Sequence, residues 1–114
     1  MSLITLRKAI RHQSRIREMT DFCITRVQYD GARQRITYVE VSENLPQKFG
    51  TKRAIPRGFV ADLIRLNKAT FSTWVMNADG TYKKGADVHV LDDVYLSTDR
   101  NGSKRDNLGS LPEF

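Results

Sequence analysis

FSTWVMNADGTYKKGADVHVLDDVYLST, residues 71–98, is the stretch that decides the predicted fold. Trp74 and Met76 stand two residues apart, and the alternation of apolar residues resumes at Val88 beyond the turn-forming residues that precede Gly80. Successive side chains of a strand point to opposite faces, so this spacing is typical of β-structure. We expect three or four antiparallel strands joined by short turns, with Trp74 buried.

Length and composition limit the class of protein. The chain has 114 residues, 39% of them hydrophobic and 28% charged, which suits one globular domain. No apolar run approaches the roughly 18 residues that span a bilayer, and no signal-peptide core opens the chain. We expect a cytoplasmic body that does not associate with membranes. Cys23 is the only cysteine, so no internal disulfide forms, and we expect its side chain in the core.

The formal charge of +6 is concentrated near the N-terminus. Residues 1–18 carry a net +4, from Arg7, Lys8, Arg11, Arg15 and Arg17 against Glu18. Leu3, Leu6 and Ile10 share one face of a helix drawn through this segment. We interpret residues 1–18 as a basic extension, either poorly ordered or a separate helix, and residues 19–114 as the domain. A nucleic-acid arm, a membrane-surface helix and a transit peptide are the alternatives.

The first half of the domain predicts a hairpin, a loop and a helix. Residues 22–29 and 35–41 are rich in β-branched and aromatic side chains and flank an Asp-Gly turn at Asp30. Residues 42–54 are polar and irregular, which indicates a mobile loop. Pro56 then opens a helix from residue 57 to about residue 68.

The helix carries an apolar stripe, which we expect to pack on the sheet while Ala61 points away. The residues of the stripe are Phe59, Val60, Leu63, Ile64 and Leu66. The predicted fold is a small α+β domain with one antiparallel sheet, built from the hairpin, this helix and a further meander. Leu108, Leu111 and Phe114 recur as apolar anchors in a tail without regular structure. We expect this tail to lie on the body, although a peptide that docks into a partner has the same spacing.

Basic residues between positions 48 and 68 form the predicted binding face. They are Lys48, Lys52, Arg53, Arg57, Arg65 and Lys68. Such side chains contact phosphates or the rim of a protein partner. Arg26, Arg33 and Arg35 near the first hairpin form a second group that is suited to phosphate. A charged face is also what any solvated helix shows.

A catalytic cluster has weaker support. Asp87 and His89 are two residues apart on an expected strand, and Asp92 and Asp93 follow in a turn. A zinc site usually takes three protein ligands dominated by His or Cys, and a general base needs an orienting partner. Phosphate-cradling, dinucleotide, paired-cysteine and hydrolase-elbow motifs are all missing from the sequence. We predict a protein that is not an enzyme and uses no cofactor or metal.

The segments DGTYKKGADVHV, YLSTD and DNLGSLPEF, with DFCITRVQYD near the start, resemble a family of short bacterial proteins classed only as a domain of unknown function. The resemblance covers residues 19–114. It implies that DNLGSLPEF belongs to the domain. It implies no activity, so no functional residue is carried over from it.

Three functions remain open at this point. The first is a small, basic, non-enzymatic protein that binds nucleic acid through the face between positions 48 and 68. The second is a protein–protein module, such as an inhibitor or adaptor of a larger complex that processes nucleic acid or serves phage defence. The third is an enzyme built on Asp87, His89, Asp92 and Asp93. The composition favours the two binding functions over catalysis.

Overall fold

The computed structural model of this chain describes residues 19–99 and 105–114. These residues form eight strands and one helix, in the order β1 Phe22–Tyr29, β2 Ile36–Leu45, β3 Lys48–Phe49, β4 Arg53–Pro56, α1 Arg57–Arg65, β5 Phe71–Met76, β6 Tyr82–Asp87, β7 His89–Leu91 and β8 Tyr95–Ser97. The α+β class is as predicted. The prediction for the basic extension falls outside the described residues. No helix in the two described ranges is long and apolar enough to cross a bilayer.

The main sheet is mixed, whereas the prediction was one antiparallel sheet. Its order is β3-β2-β1-β5-β6, with β4 pairing on β2. Strand β5 runs parallel to β1, with Phe22 beside Phe71 and Ile24 beside Thr73. Strand β4 already runs in the direction of β1, because both pair antiparallel with β2. Helix α1 is the crossover that carries the chain back, so that β5 enters the sheet in this same direction.

The meander of residues 71–98 is divided between two sheets. Strands β5 and β6 join the main sheet, while β7 and β8 form a separate two-stranded sheet. The break falls at Val88, whose amide donates a 2.9 Å hydrogen bond to the Phe71 carbonyl. Beyond it, β7 and β8 pack against α1. Burial of Val88 and Leu96, which are 5% and 0% exposed, accounts for the departure from a single sheet.

The core lies between α1 and the sheet face that carries Ile24, Val27 and Val39. Helix α1 contributes Val60 and Ala61, which are 0% and 2% exposed, so the prediction that Ala61 points away was wrong. Val60 belongs to the predicted stripe, so its burial is as expected.

Two other residues of the predicted stripe are solvent-accessible. Phe59 and Leu66 are 55% and 53% exposed, and Leu63 is half-buried against the core. The helix also ends at Arg65 rather than near Lys68. Asn67 has φ 57°, and the Lys68 amide turns back to the Leu63 carbonyl at 2.8 Å. A left-handed residue of this kind closes a helix and directs the chain away from its axis.

Residues 42–54 lie largely in paired strands, which corrects the prediction that they form an irregular loop. Strand β2 continues to Leu45, and β3 and β4 both pair with it. Phe49 lies edge-on to Trp74 at 5.4 Å between ring centroids and 5.0 Å from the ring of Tyr82. Trp74 is half-buried rather than fully buried, and its indole N–H donates to Ser72 Oγ at 2.9 Å. Aromatic packing therefore holds this segment on the sheet.

Cys23 is buried, as expected, and burial raises the pKa of its thiol to about 12. It alternates with Phe22 and Ile24, which contact the core under α1, so its side chain points to the opposite face of the sheet.

The C-terminal tail is anchored, as the sequence predicts. Leu108 and Leu111 are 3% and 7% exposed in the same core. The Val27 amide donates to the Pro112 carbonyl and the Phe114 amide donates to the Val27 carbonyl, both at 2.9 Å. The tail thus pairs with β1 beyond the point where β5 stops pairing with it. Phe114 itself remains 36% exposed.

Asp106 ties the tail to three other elements. Its carboxyl group is 0% exposed. Oδ2 accepts the Ile36 amide at 2.8 Å, Oδ1 accepts the Leu96 amide at 2.9 Å, and the Arg57 guanidinium lies 3.7 Å away. A buried carboxylate is stable only when its oxygens are bonded in this way. The tail is therefore an integral part of the domain.

We expect Asp106→Asn to lower the free energy of unfolding by about 1–3 kcal/mol, because an amide NH₂ replaces one acceptor and faces a buried N–H. Urea denaturation measures the change. Asp62→Asn is the control, since Asp62 is exposed and its one ion pair within residues 19–99 and 105–114 is with Arg65 at 3.3 Å, so its effect should stay below about 0.5 kcal/mol. Equal effects of the two substitutions would contradict the role of Asp106.

Candidate nucleic-acid interface

The six basic residues predicted between positions 48 and 68 do not form one face. Strands β2 and β4 pair Val41 with Arg53, so Arg53 shares the α1 side of the sheet. Lys52 lies instead beside Tyr82, a β6 residue that contacts Phe49. The remaining four occupy other positions, with Lys48 exposed in β3, Arg57 and Arg65 at the two ends of α1, and Lys68 exposed after it.

Lys52 belongs to a compensated network around Glu40. Its ammonium lies 4.0 Å from the Glu40 carboxylate and 5.4 Å from the centroid of the Tyr82 ring. Glu40 also accepts hydrogen bonds from Arg26 at 2.6 Å and from Thr25 at 2.7 Å. The bond from Arg26 is the main cause that lowers the pKa of Glu40, with smaller contributions from Thr25 and Lys52. These cations already have an anionic partner.

Arg57 was expected to point outward, and the structure corrects this. Its side chain is 17% exposed. Nε donates to the Ile36 carbonyl at 3.0 Å, Nη1 donates to the Val94 carbonyl, and Asp106 lies close to Nε. The guanidinium therefore joins α1 to β2 and to the turn before β8, which makes Arg57 a structural residue.

The predicted catalytic cluster is also divided. Asp87 ends β6 in the main sheet and pairs with Lys84 at 3.0 Å, whereas His89 begins β7 in the second sheet. Asp92 and Asp93 have φ of 53° and 63° and form the tight turn between β7 and β8. The described part of the chain contains no group of three potential metal-binding side chains. The expectation that Asp87 and His89 share one strand face was wrong.

Three arginines line a single open cleft of about 580 Å³ at the turn end of the first hairpin. Arg33 and Arg35 come from the hairpin and Arg105 comes from the tail. Tyr29 and Tyr95 line the same cleft. We call this site the arginine cleft. It combines planar cations with aromatic rings, the two groups that contact the phosphates and bases of a nucleic-acid strand.

Two of the guanidinium groups lie over tyrosine rings. The Cζ atom of Arg33 is 5.4 Å from the centroid of Tyr29, and that of Arg35 is 5.6 Å from the centroid of Tyr95. Cation–π contact at this distance is attractive and limits the rotamers of each arginine. The N–H groups at the edge of a stacked guanidinium stay available to an oxyanion.

The turn that presents these arginines is held by Asp30. Its carboxylate accepts the Gln34 amide at 2.9 Å and the Arg35 amide at 3.4 Å. The bond from Gln34 is the main cause of a lowered pKa for Asp30. Arg33 has φ 55°, a conformation that the turn requires and that few side chains adopt. The backbone therefore fixes where the first two cations of the cleft stand.

The cleft has more cations than accessible anions. Glu113 pairs with Arg33 at 2.6 Å, and the carboxylate of Asp106 is buried beneath the surface. Arg35 and Arg105 form no ion pair with another residue in the described ranges. By contrast, the described residues as a whole carry twelve Lys and Arg against twelve Asp and Glu. A local excess of positive charge, on a described body whose charges balance, distinguishes this site.

Sequence reasoning found only part of the arginine cleft. Arg33 and Arg35 were recognised as a group suited to phosphate because they flank the Asp-Gly turn. Arg26 was grouped with them, although it instead pairs with Glu40 and lies over Phe114 at 5.1 Å. Arg105 was missed because about seventy residues separate it from the hairpin. One pattern in the sequence could have indicated the position of Arg105. The apolar anchors of the tail imply that the tail returns to the body.

No protein-family model, no curated protein and no solved structure matches this chain. The resemblance to a family of unknown function therefore stays a prediction.

The lowered pKa of Glu40 predicts a pH dependence of stability. A depressed carboxyl pKa stabilises the folded state above its ordinary value of 4.5, and this stabilisation is lost as the pH falls through the folded-state pKa. Glu40→Gln should lower the free energy of unfolding by about 1–2 kcal/mol at neutral pH. The difference should shrink on acidification, which urea denaturation at a series of pH values measures. A difference that stays constant down to the acid transition would contradict this role, and Glu43→Gln serves as an exposed control.

Proposed function

We propose that the protein is a non-enzymatic binding protein whose arginine cleft holds single-stranded nucleic acid. The observation that carries the proposal is the convergence of Arg33, Arg35 and Arg105 on one cleft that also presents Tyr29 and Tyr95. Arginine forks match the geometry of phosphate oxygens, and each phosphate contact releases condensed counterions. This proposal keeps the predicted ligand and moves its site away from positions 48–68.

Positioning of the cations supports the proposal. A flexible arginine loses rotamer entropy when it binds phosphate, and stacking on a tyrosine removes part of that freedom beforehand. Arg33 and Arg35 are both stacked in this way. Asp30 further fixes the backbone between them through its hydrogen bonds to the turn amides. The rotamer entropy of these arginines is therefore already reduced in the free protein, so less of it is lost on binding.

The shape of the cleft favours a single strand over a duplex. Its volume of about 580 Å³ suits a short piece of flexible chain that enters between side chains, whereas a duplex is recognised across a wide surface or within its grooves. Stacking on the face of a tyrosine ring is open to any base, so we expect little sequence preference. Arg100 and Lys104 precede Arg105 in the sequence and add positive charge along the same segment.

The protein-module alternative receives less support from the tail. Leu108 and Leu111 were predicted as anchors for either the body or a partner, and both are buried in the core of this chain. A partner could use them only if the tail left its site and broke the bonds of Asp106. Docking of the tail on a larger complex therefore stays a prediction.

We expect the triple variant Arg33→Gln, Arg35→Gln, Arg105→Gln to lose most of its affinity for a labelled oligothymidylate. The slope of log K against log salt for single strands is about −0.7 per phosphate contact, so three lost contacts should reduce its magnitude by about 2. Fluorescence anisotropy between about 50 and 200 mM NaCl measures both affinity and slope.

The matched control is Lys48→Gln, Arg53→Gln, Lys68→Gln, which removes the same number of positive charges from exposed positions outside the cleft. We expect it to retain wild-type slope and nearly wild-type affinity. A larger loss in this control than in the cleft variant would place the site between positions 48 and 68 instead. No binding by the wild type at the lowest salt would reject the nucleic-acid function.

A further inference from the structure

A second site lies on the α1 side of the sheet, at the end where β1 begins. It is an apolar groove of about 280 Å³. Phe22 and Phe71, stacked at 5.2 Å between ring centroids, line the groove together with Ile55 and Leu63. Phe59 stands beside them and is 55% exposed. The exposed ring of Phe59 extends the apolar surface of the groove that a ligand could contact.

Two opposite charges line this groove. Arg53 lies opposite Val41 in the β2–β4 pairing, and Glu43 lies two residues further along the same face of β2. The Glu43 carboxylate and the Arg53 guanidinium form no ion pair with each other or with any other residue in the described ranges. A cation and an anion thus stand near one another, unpaired, over apolar walls.

The size of the groove restricts its occupant. Pockets for drug-sized ligands start near 300 Å³, so about 280 Å³ suits a smaller molecule with one apolar group. The two unpaired charges call for a ligand that carries an anionic group and a cationic group on the same carbon. The α-carboxylate and α-ammonium of a free amino acid meet this requirement.

We propose that this groove binds a free apolar α-amino acid. The side chain lies against Phe59, Leu63 and the stacked pair of Phe22 and Phe71, the carboxylate pairs with Arg53, and the ammonium pairs with Glu43. The site shares no residue with the arginine cleft, so this inference stands independently of nucleic-acid binding.

Three small probes separate the contributions of the two charges. They are L-phenylalanine, 3-phenylpropanoate, which lacks the ammonium, and phenethylamine, which lacks the carboxylate. Titrations of the full chain followed by two-dimensional NMR should show saturable shifts at Thr51, Phe59 and Leu63 with L-phenylalanine. We expect each single-charge probe to bind at least about tenfold more weakly, as loss of one charged contact predicts.

Substitutions at the two charges should act selectively. Arg53→Met should weaken L-phenylalanine and 3-phenylpropanoate about tenfold and leave phenethylamine unchanged, while Glu43→Gln should do the converse. Phe59→Ala should weaken all three probes, and its exposed position means that the fold survives. Arg65→Met removes an exposed cation that does not line the groove and is the control, with no expected change.

Equal affinity of all three probes would overturn the proposal, because the charges would then play no part. An equal affinity of 3-phenylpropanoate and L-phenylalanine would show a site for apolar acids and reject an amino acid. Shifts that do not saturate would also overturn it. Urea denaturation of each variant separates loss of binding from loss of fold.

Discussion

The buried carboxylate of Asp106 is the interaction on which both the fold and the arginine cleft depend. It accepts the amides of Ile36 and Leu96, and each of these residues is next in sequence to a residue that lines the cleft. Ile36 follows Arg35, Leu96 follows Tyr95, and Asp106 follows Arg105. One side chain therefore brings a hairpin, a second sheet and the tail together, and the stacking of Arg35 on Tyr95 follows from it.

This arrangement also explains why the cleft remains positive. A carboxylate among three arginines would offset one of their charges if it lay at the surface. The side chain of Asp106 is instead 0% exposed, and its two carboxylate oxygens accept hydrogen bonds from two backbone amides. The Arg57 guanidinium lies beside it. Arg57 in turn bonds the Ile36 carbonyl. The charges of Asp106 and Arg57 therefore lie below the surface. The cleft arginines above them have few accessible anions to pair with.

Local sequence patterns predicted the elements well and their assembly poorly. The Asp-Gly turn, the strand Phe22–Tyr29 and the start of α1 after Pro56 follow from residues close in sequence, and all three are confirmed. The parallel pairing of β1 with β5 and the separation of β7 and β8 depend on where α1 returns the chain, which no short pattern encodes. Phe49 illustrates the same limit, because its contacts with Trp74 and Tyr82 are what order a segment that looks like a loop.

The same distinction applies to the site. The number of basic residues drew attention to positions 48–68, but charge counts take no account of pairing, and Arg57 and Lys52 have partners there. Arg33 and Arg35 could be recognised from the hairpin, whereas Arg105 needed the path of the tail. The apolar groove was not predicted, because Phe59 and Leu63 fit a core stripe equally well and only the rotation of α1 exposes Phe59.

The most direct measurement of the central claim is an NMR titration of the arginine Nε–H signals with an unlabelled oligothymidylate at low salt. These signals report the guanidinium groups themselves, so they identify which cations meet phosphate. The account predicts that Arg33, Arg35 and Arg105 shift together with one apparent Kd while Arg53 and Arg65 stay in place. Shifts of Arg53 and Arg65 without those of the cleft arginines would contradict it.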